Sequence, residues 1–122
     1  MHLREGVARL IEEASDAGCK LAIASTTTAV NIDALLHSTF GPRGLDLVSV
    51  IACGDQVRAK KPAPDIYRLA LDGLAMRPEH AVAFEDSPNG LRAAVAAGLW
   101  TVVTPNFWTE GGDFSEIGRA HV

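Results

Sequence analysis

Four short apolar runs alternate with four segments of helical period, and this alternation constrains the fold more than any other feature of the chain. The runs are Lys20–Ser25, Leu47–Ala52, Ala81–Phe84 and Trp100–Thr104. The helical segments are Leu3–Ala17, with Val7, Leu10, Ile11 and Ala14 on one face; Ala29–Thr39, with Ile32, Leu35 and Leu36; Pro64–Leu74; and Ser87–Ala97. Runs this short and continuously apolar read as strands buried on both faces, and the 3.6-residue period reads as helices. Gly18 and Gly98 stop the first and last helices, Pro64 suits a helix first turn, and Phe40–Gly44 reads as a loop. A β–α–β–α order predicts an α/β fold, a parallel sheet with helices on both faces.

Length and charge narrow the classes further. The 122 residues suffice for one modest domain. The net charge of −4 provides no basic field for nucleic acid or an anionic membrane. No stretch approaches a membrane span and the N-terminus has no signal-peptide core, so a cytoplasmic protein is expected. Cys19 and Cys53 lack metal-ligand spacing and lie in apolar surroundings, which predicts buried, reduced thiols.

In a parallel α/β sheet, ligands bind beyond the carboxyl ends of the strands. Three polar groups fall on that rim. Ser25 and Thr26 follow the first strand, Lys61 lies in the loop beyond the second, and Glu85 and Asp86 end the third. Adjacent carboxylates there supply the hard oxygen ligands that Mg²⁺ prefers. The Ser25 hydroxyl and the Thr26 N–H suit a phosphate oxygen beside a helix N-terminus. Lys61 adds a compact positive charge for a phosphoryl group. Taken singly, each has a plainer reading: Ser25 to Thr28 as a turn and helix cap, Lys60 and Lys61 as solvated charges, Asp86 or Ser87 as an N-cap, and Asp65 as first-turn helix chemistry. His37 and His80 read as surface residues.

These residues also resemble a known family. Ala24-Ser25-Thr26 is similar to the second motif of the haloacid dehalogenase superfamily of phosphatases and phosphomutases. Gly54-Asp55-Gln56-Val57 with Lys61-Pro62-Ala63-Pro64-Asp65 resembles the third. Phe84-Glu85-Asp86-Ser87-Pro88-Asn89-Gly90 with Ala93–Gly98 resembles the fourth. Ser25 to Thr28 with Asn31 and Asp33–Leu36 is most similar to the CbbY-type sugar-phosphate phosphatases. The resemblance runs from Leu3 to about Thr104. It implies a Rossmann-like core and a Mg²⁺-dependent phosphate-monoester hydrolase that works through an aspartyl-phosphate. It assigns Ser25 and Lys61 to catalysis, Ser25, Thr26 and Lys61 to the phosphoryl group, and Glu85 and Asp86 to the metal. The implied substrate is a small phosphorylated metabolite similar to xylulose-1,5-bisphosphate. β-Phosphoglucomutase and phosphoglycolate phosphatase relatives share these motifs.

One motif is missing. The family's Asp-x-Asp, which carries the nucleophile and the general acid and base, occurs nowhere in the 122 residues. The expectation is therefore the carboxyl-terminal part of a larger core, residues 1–105, without the first, central strand and without the cap domain, and with the N-terminal half of the same enzyme as its partner. By the sheet order that the resemblance implies, the absent strand belongs between the Lys20–Ser25 and Ala81–Phe84 strands, so either these two close up or a gap with two bare edges remains. Residues 106–122 are expected to be an irregular tail. Glu116–Val122 read like the translation of a sequencing-adapter stretch, so 117–122 are expected to be non-native. A non-catalytic phosphate-binding domain that has shed the nucleophile is the alternative of another class.

Overall fold

The computed structural model describes residues 6–104 and 120–121. Helix α1 (Val7–Asp16) leads into strand β1 (Ala22–Ser25), helix α2 (Ala29–Phe40) and strand β2 (Val50–Cys53). Helix α3 (Asp65–Leu74), strand β3 (Val82–Glu85), helix α4 (Pro88–Ala96), strand β4 (Trp100–Val103) and a two-residue strand β5 (Ala120–His121) follow. All the described strand pairings are parallel, as the alternation predicts.

The helix ends obey local chemistry. Thr28 caps α2 by accepting from the Asn31 N–H, and Ser87 caps α4 by accepting from the Gly90 N–H at 3.1 Å, with Pro88 at the first position. Helices α1 and α4 stop where Gly18 and Gly98 adopt positive φ. At α3 the proline stands one place earlier than expected: Pro64 is the N-cap, and the helix starts at Asp65. Residues expected as loop and strand start, Gly41–Leu47, instead form a 3₁₀ helix packed on α2, so β2 begins at Val50. Where an irregular tail is expected, Ala120 and His121 pair with Thr101 and Val102 of β4. The rest of that expected tail lies outside the described residues.

The sheet is not continuous. Strands β1 and β2 form one sheet, and β3, β4 and β5 form another. The strands expected to flank a missing central strand, β1 and β3, do not pair, so the gap stays open. Helix α3 lies over both pieces and unites them. Its Ile66, Tyr67, Ala70 and Leu71 pack with Ala52 of β2, Ala83 of β3, Ala93 and Ala94 of α4, and Leu99 in one core, with Ala22 and Ala24 of β1 against it. Side chains alternate across a strand, so Ile23, Ile51 and Cys53 point to the opposite face, where Ile32 and Leu36 of α2 cover them. On β3, Ala83 and Glu85 face the α3 core, while Val82 and Phe84 are 54% and 51% exposed. Helices on both faces therefore hold for β1 and β2. Among the described residues the outer face of β3 is bare. Cys53 is buried as expected, but Cys19 is exposed, because it sits in the turn just after α1 rather than on an element that faces the core.

Candidate active site at the sheet gap

At the carboxyl ends of β1 and β3 a cleft of about 450 Å³ opens, lined by Ser25, Thr26, Lys61, Glu85, Asp86 and Asn89 among others. All five residues expected on the rim from sequence thus meet in one place, although they come from three separate segments. Each is held by a different device.

Ser25 ends β1, and its Oγ accepts from the Thr27 N–H at 3.2 Å, which folds the following turn over the strand end. Thr26 is exposed at the mouth. Its backbone is fixed from behind by Gly54, whose N–H donates to Thr27 O at 3.4 Å. A Cβ on Gly54 would lie 2.5 Å from Thr26 O. Gly54→Ala is therefore expected to push the rim outward and to cost about 1–3 kcal/mol by overpacking. Urea denaturation and the Thr26 amide chemical shift would read the two effects. Parental stability and an unshifted amide in Gly54→Ala would show that no such contact constrains the rim.

Lys61 crosses the gap. Its Nζ donates to Ala24 O of β1 at 3.2 Å and to Glu85 Oε2 of β3 at 2.6 Å. It also lies 5.2 Å from the centroid of the Tyr67 ring. The two side chains of the ion pair are only 12% and 7% exposed. Their attraction is consequently little screened by water, and each is the other's compensation for leaving it.

Glu85 is enclosed on further sides. The Tyr67 hydroxyl donates to the same Oε2, and Gly90 in the first turn of α4 lies against the carboxylate so closely that a Cβ there would force the carboxylate to shift. The Thr104 N–H donates to the Glu85 carbonyl at 2.8 Å and ties the strand end to the segment after β4. Burial first, then the charge of Glu85, pushes the Tyr67 phenol above its ordinary range, so it remains an O–H donor at any working pH. Asp86, the next residue, is half-buried and faces the cleft.

The acids of the expected metal pair are thus unequal. Glu85 is buried against Lys61 and Tyr67, and Asp86 is half-buried at the mouth. Among the described residues no three His, Cys, Asp or Glu side chains gather as a complete metal cage. Mg²⁺ does not need one, since it is commonly held by one or two carboxylates plus substrate phosphate. Asp86 at a rigid strand end fits that use. Lys61, Ser25 and Thr26 line the cleft, and Tyr67, which no motif marks, stands behind Glu85. A signal for it exists: a buried tyrosine on a core-facing helix needs a hydroxyl partner.

A family model described as haloacid dehalogenase-like hydrolase matches residues 1–98. The chain is 52% identical over 117 residues to Protein CbbY of Cereibacter sphaeroides, covering 96% of this chain and 51% of that protein. It is 53% identical to Protein CbbY of Rhodobacter capsulatus over 113 residues, covering 93% and 50%. The crystal structure of a CbbY mutant from Rhodobacter sphaeroides, in complex with xylulose-(1,5)bisphosphate, superimposes with a TM-score of 0.90 at 51% identity, over 98% of this chain and 53% of that one. The chain spans about half the length of the curated relatives it matches. With a family match over most of its length and the motif residues gathered at one cleft, this chain belongs to the haloacid dehalogenase-like hydrolases.

Proposed function

We propose that the chain is the accessory part of a cytoplasmic, Mg²⁺-dependent phosphatase acting on a small sugar phosphate similar to xylulose-1,5-bisphosphate. The observation that carries this reading is Lys61. Its ammonium bridges Ala24 O and Glu85 across the sheet gap, beside Ser25, Thr26 and Asp86. A buried cation at a cleft lined by the hydroxyl-bearing Ser25, Thr26 and Ser87 and by the carboxylates Glu85 and Asp86 suits a phosphoryl group together with a divalent metal. The CbbY complex with xylulose-(1,5)bisphosphate and the phosphatase names among the relatives support the substrate class.

In this reading Ser25 and the Thr26 N–H bind phosphoryl oxygens, and Lys61 balances their charge. Asp86 would hold Mg²⁺, which would supply Lewis-acid stabilisation when bound. Glu85 contributes negative charge to the site while orienting Lys61. The nucleophilic aspartate comes from an Asp-x-Asp strand outside these 122 residues, in the N-terminal half of the same enzyme, and that strand fills the space between β1 and β3. The absence of Asp-x-Asp from the sequence favours one second reading, a phosphate-binding domain without turnover.

Phosphate release separates the two. It would be measured with and without Mg²⁺, on xylulose-1,5-bisphosphate, other sugar phosphates and phosphoglycolate. Both the 122-residue chain and the same chain extended by its own upstream reading frame would be assayed. Mg²⁺-dependent release by the extended protein, with none by the short chain, is expected. Phosphate binding without release by the extended protein would establish the binding-domain reading instead.

A further inference from the structure

We propose that Tyr67 is a positioning residue of the site: through Glu85 it fixes where the Lys61 ammonium stands. The inference rests on the phosphatase reading only for the target of that ammonium, a phosphoryl group.

The geometry separates a rigid donor from a flexible one. Tyr67 lies in α3 and is 7% exposed, its ring wedged into the core that unites the two sheets. Its hydroxyl donates to Glu85 Oε2, the atom that also receives Lys61 Nζ. Lys61 reaches that oxygen on a four-carbon stem from a loop, and its Nζ also donates to the Ala24 carbonyl at 3.2 Å. A lysine stem has several rotatable bonds and is not self-orienting. The carboxylate that holds it must therefore be fixed by something else. Gly90 closes one side of Glu85, and the Tyr67 hydroxyl closes another. No other side-chain donor from the core reaches this carboxylate among the described residues. The same Tyr67 ring underlies Nζ at 5.2 Å. One side chain thus sets the carboxylate by hydrogen bond and backs the ammonium by its face.

A tyrosine that served packing alone would be replaced without consequence by phenylalanine, which keeps the ring. A positioning tyrosine would not. The test is the acylation rate of the Lys61 amine in the protein extended by its own upstream reading frame, read by mass spectrometry against the adjacent exposed Lys60 as internal reference. Tyr67→Phe is expected to raise the Lys61-to-Lys60 ratio by roughly fivefold, the effect of one net hydrogen bond, with the circular dichroism spectrum unchanged. The same substitution made in a Glu85→Gln background is expected to have little further effect, because the carboxylate it acts through is gone. An unchanged or lowered ratio for Tyr67→Phe overturns the proposal, as does an equal increase in the Glu85→Gln background. The readout uses neither substrate nor turnover. A raised ratio alongside an extended protein that hydrolyses no phosphate ester would sink the phosphatase reading and leave Tyr67 its role. An unchanged ratio alongside an active extended enzyme would sink the role of Tyr67 alone.

Discussion

Lys61→Met is expected to destabilise the protein by about 3–5 kcal/mol, the usual cost of removing one partner from a buried ion pair. Methionine keeps the volume and the apolar stem, so cavity formation contributes little. What remains is Glu85, 7% exposed, with its charge no longer balanced. The Tyr67 hydroxyl still donates to the carboxylate and the Gly90 contact still confines it, so Glu85 cannot easily swing out to water. The loss also falls at a weak place. β1 and β3 are not paired, and Lys61 is a polar link between their ends. Removing it leaves α3 to hold the two sheets together by apolar packing. In a domain of this size each kcal/mol lowers the melting temperature by several degrees, so the variant should be largely unfolded at the melting midpoint of the parent. Adding Glu85→Gln should recover a substantial part of the loss, because the uncompensated charge goes with it. Urea denaturation of the two single variants and the double variant measures this as a coupling energy. A coupling near zero would mean that water screens the pair, contrary to its burial.

Much of this fold is legible in the sequence because it is decided locally. Thr28, Ser87 and Pro88 mark helix starts, and Gly18 and Gly98 mark helix ends, by interactions within four residues of themselves. The apolar period then says which faces turn inward: Ile32 and Leu36 of α2 are buried as expected, whereas on α1 no residue of the expected apolar face is buried and Leu10 is 40% exposed. The errors occur where distant parts of the chain decide. Leu47 reads as strand, but residues 41–47 wind into a 3₁₀ helix against α2, a contact that no local pattern encodes. Cys19 reads as buried by its residue type and apolar neighbours, yet in the turn beyond α1 it is exposed. The gap between the sheets is inferable only as a consequence of a missing strand. Its bridging by Lys61 is not inferable at all, since hydrogen bonds between residues 24, 61 and 85 follow from how α3 docks. The same docking explains why the candidate site is legible in its membership and not in its wiring. Sequence places Lys61, Glu85 and Asp86 on one rim. The unequal burial of the two acids emerges only when Tyr67 and Gly90 arrive from α3 and α4.

That inequality leads to the second large effect, in which neighbouring carboxylates respond oppositely. Asp86→Asn in the extended protein is expected to lower Mg²⁺-dependent phosphate release by at least about a hundredfold, since even the outer-shell partners of a metal cost roughly 10–100-fold when lost and Asp86 is proposed above as a direct ligand. Its effect on stability should be much smaller than that of Glu85→Gln, because Asp86 is half-buried at the mouth and Glu85 is enclosed. Glu85→Gln keeps the shape but removes the charge that balances a lysine 12% exposed, so its cost should approach the several kcal/mol of a broken buried pair. Raising the Mg²⁺ concentration should restore part of the activity of the Asp86→Asn variant, whose defect is affinity for the ion, and little of that of Glu85→Gln, whose defect is the placement of Lys61. Activity against Mg²⁺ concentration, set beside urea midpoints for both variants, distinguishes the two. If both variants were rescued equally by metal and were equally stable, the carboxylates would share one task, and the division between a metal ligand at Asp86 and a lysine anchor at Glu85 would have to be abandoned.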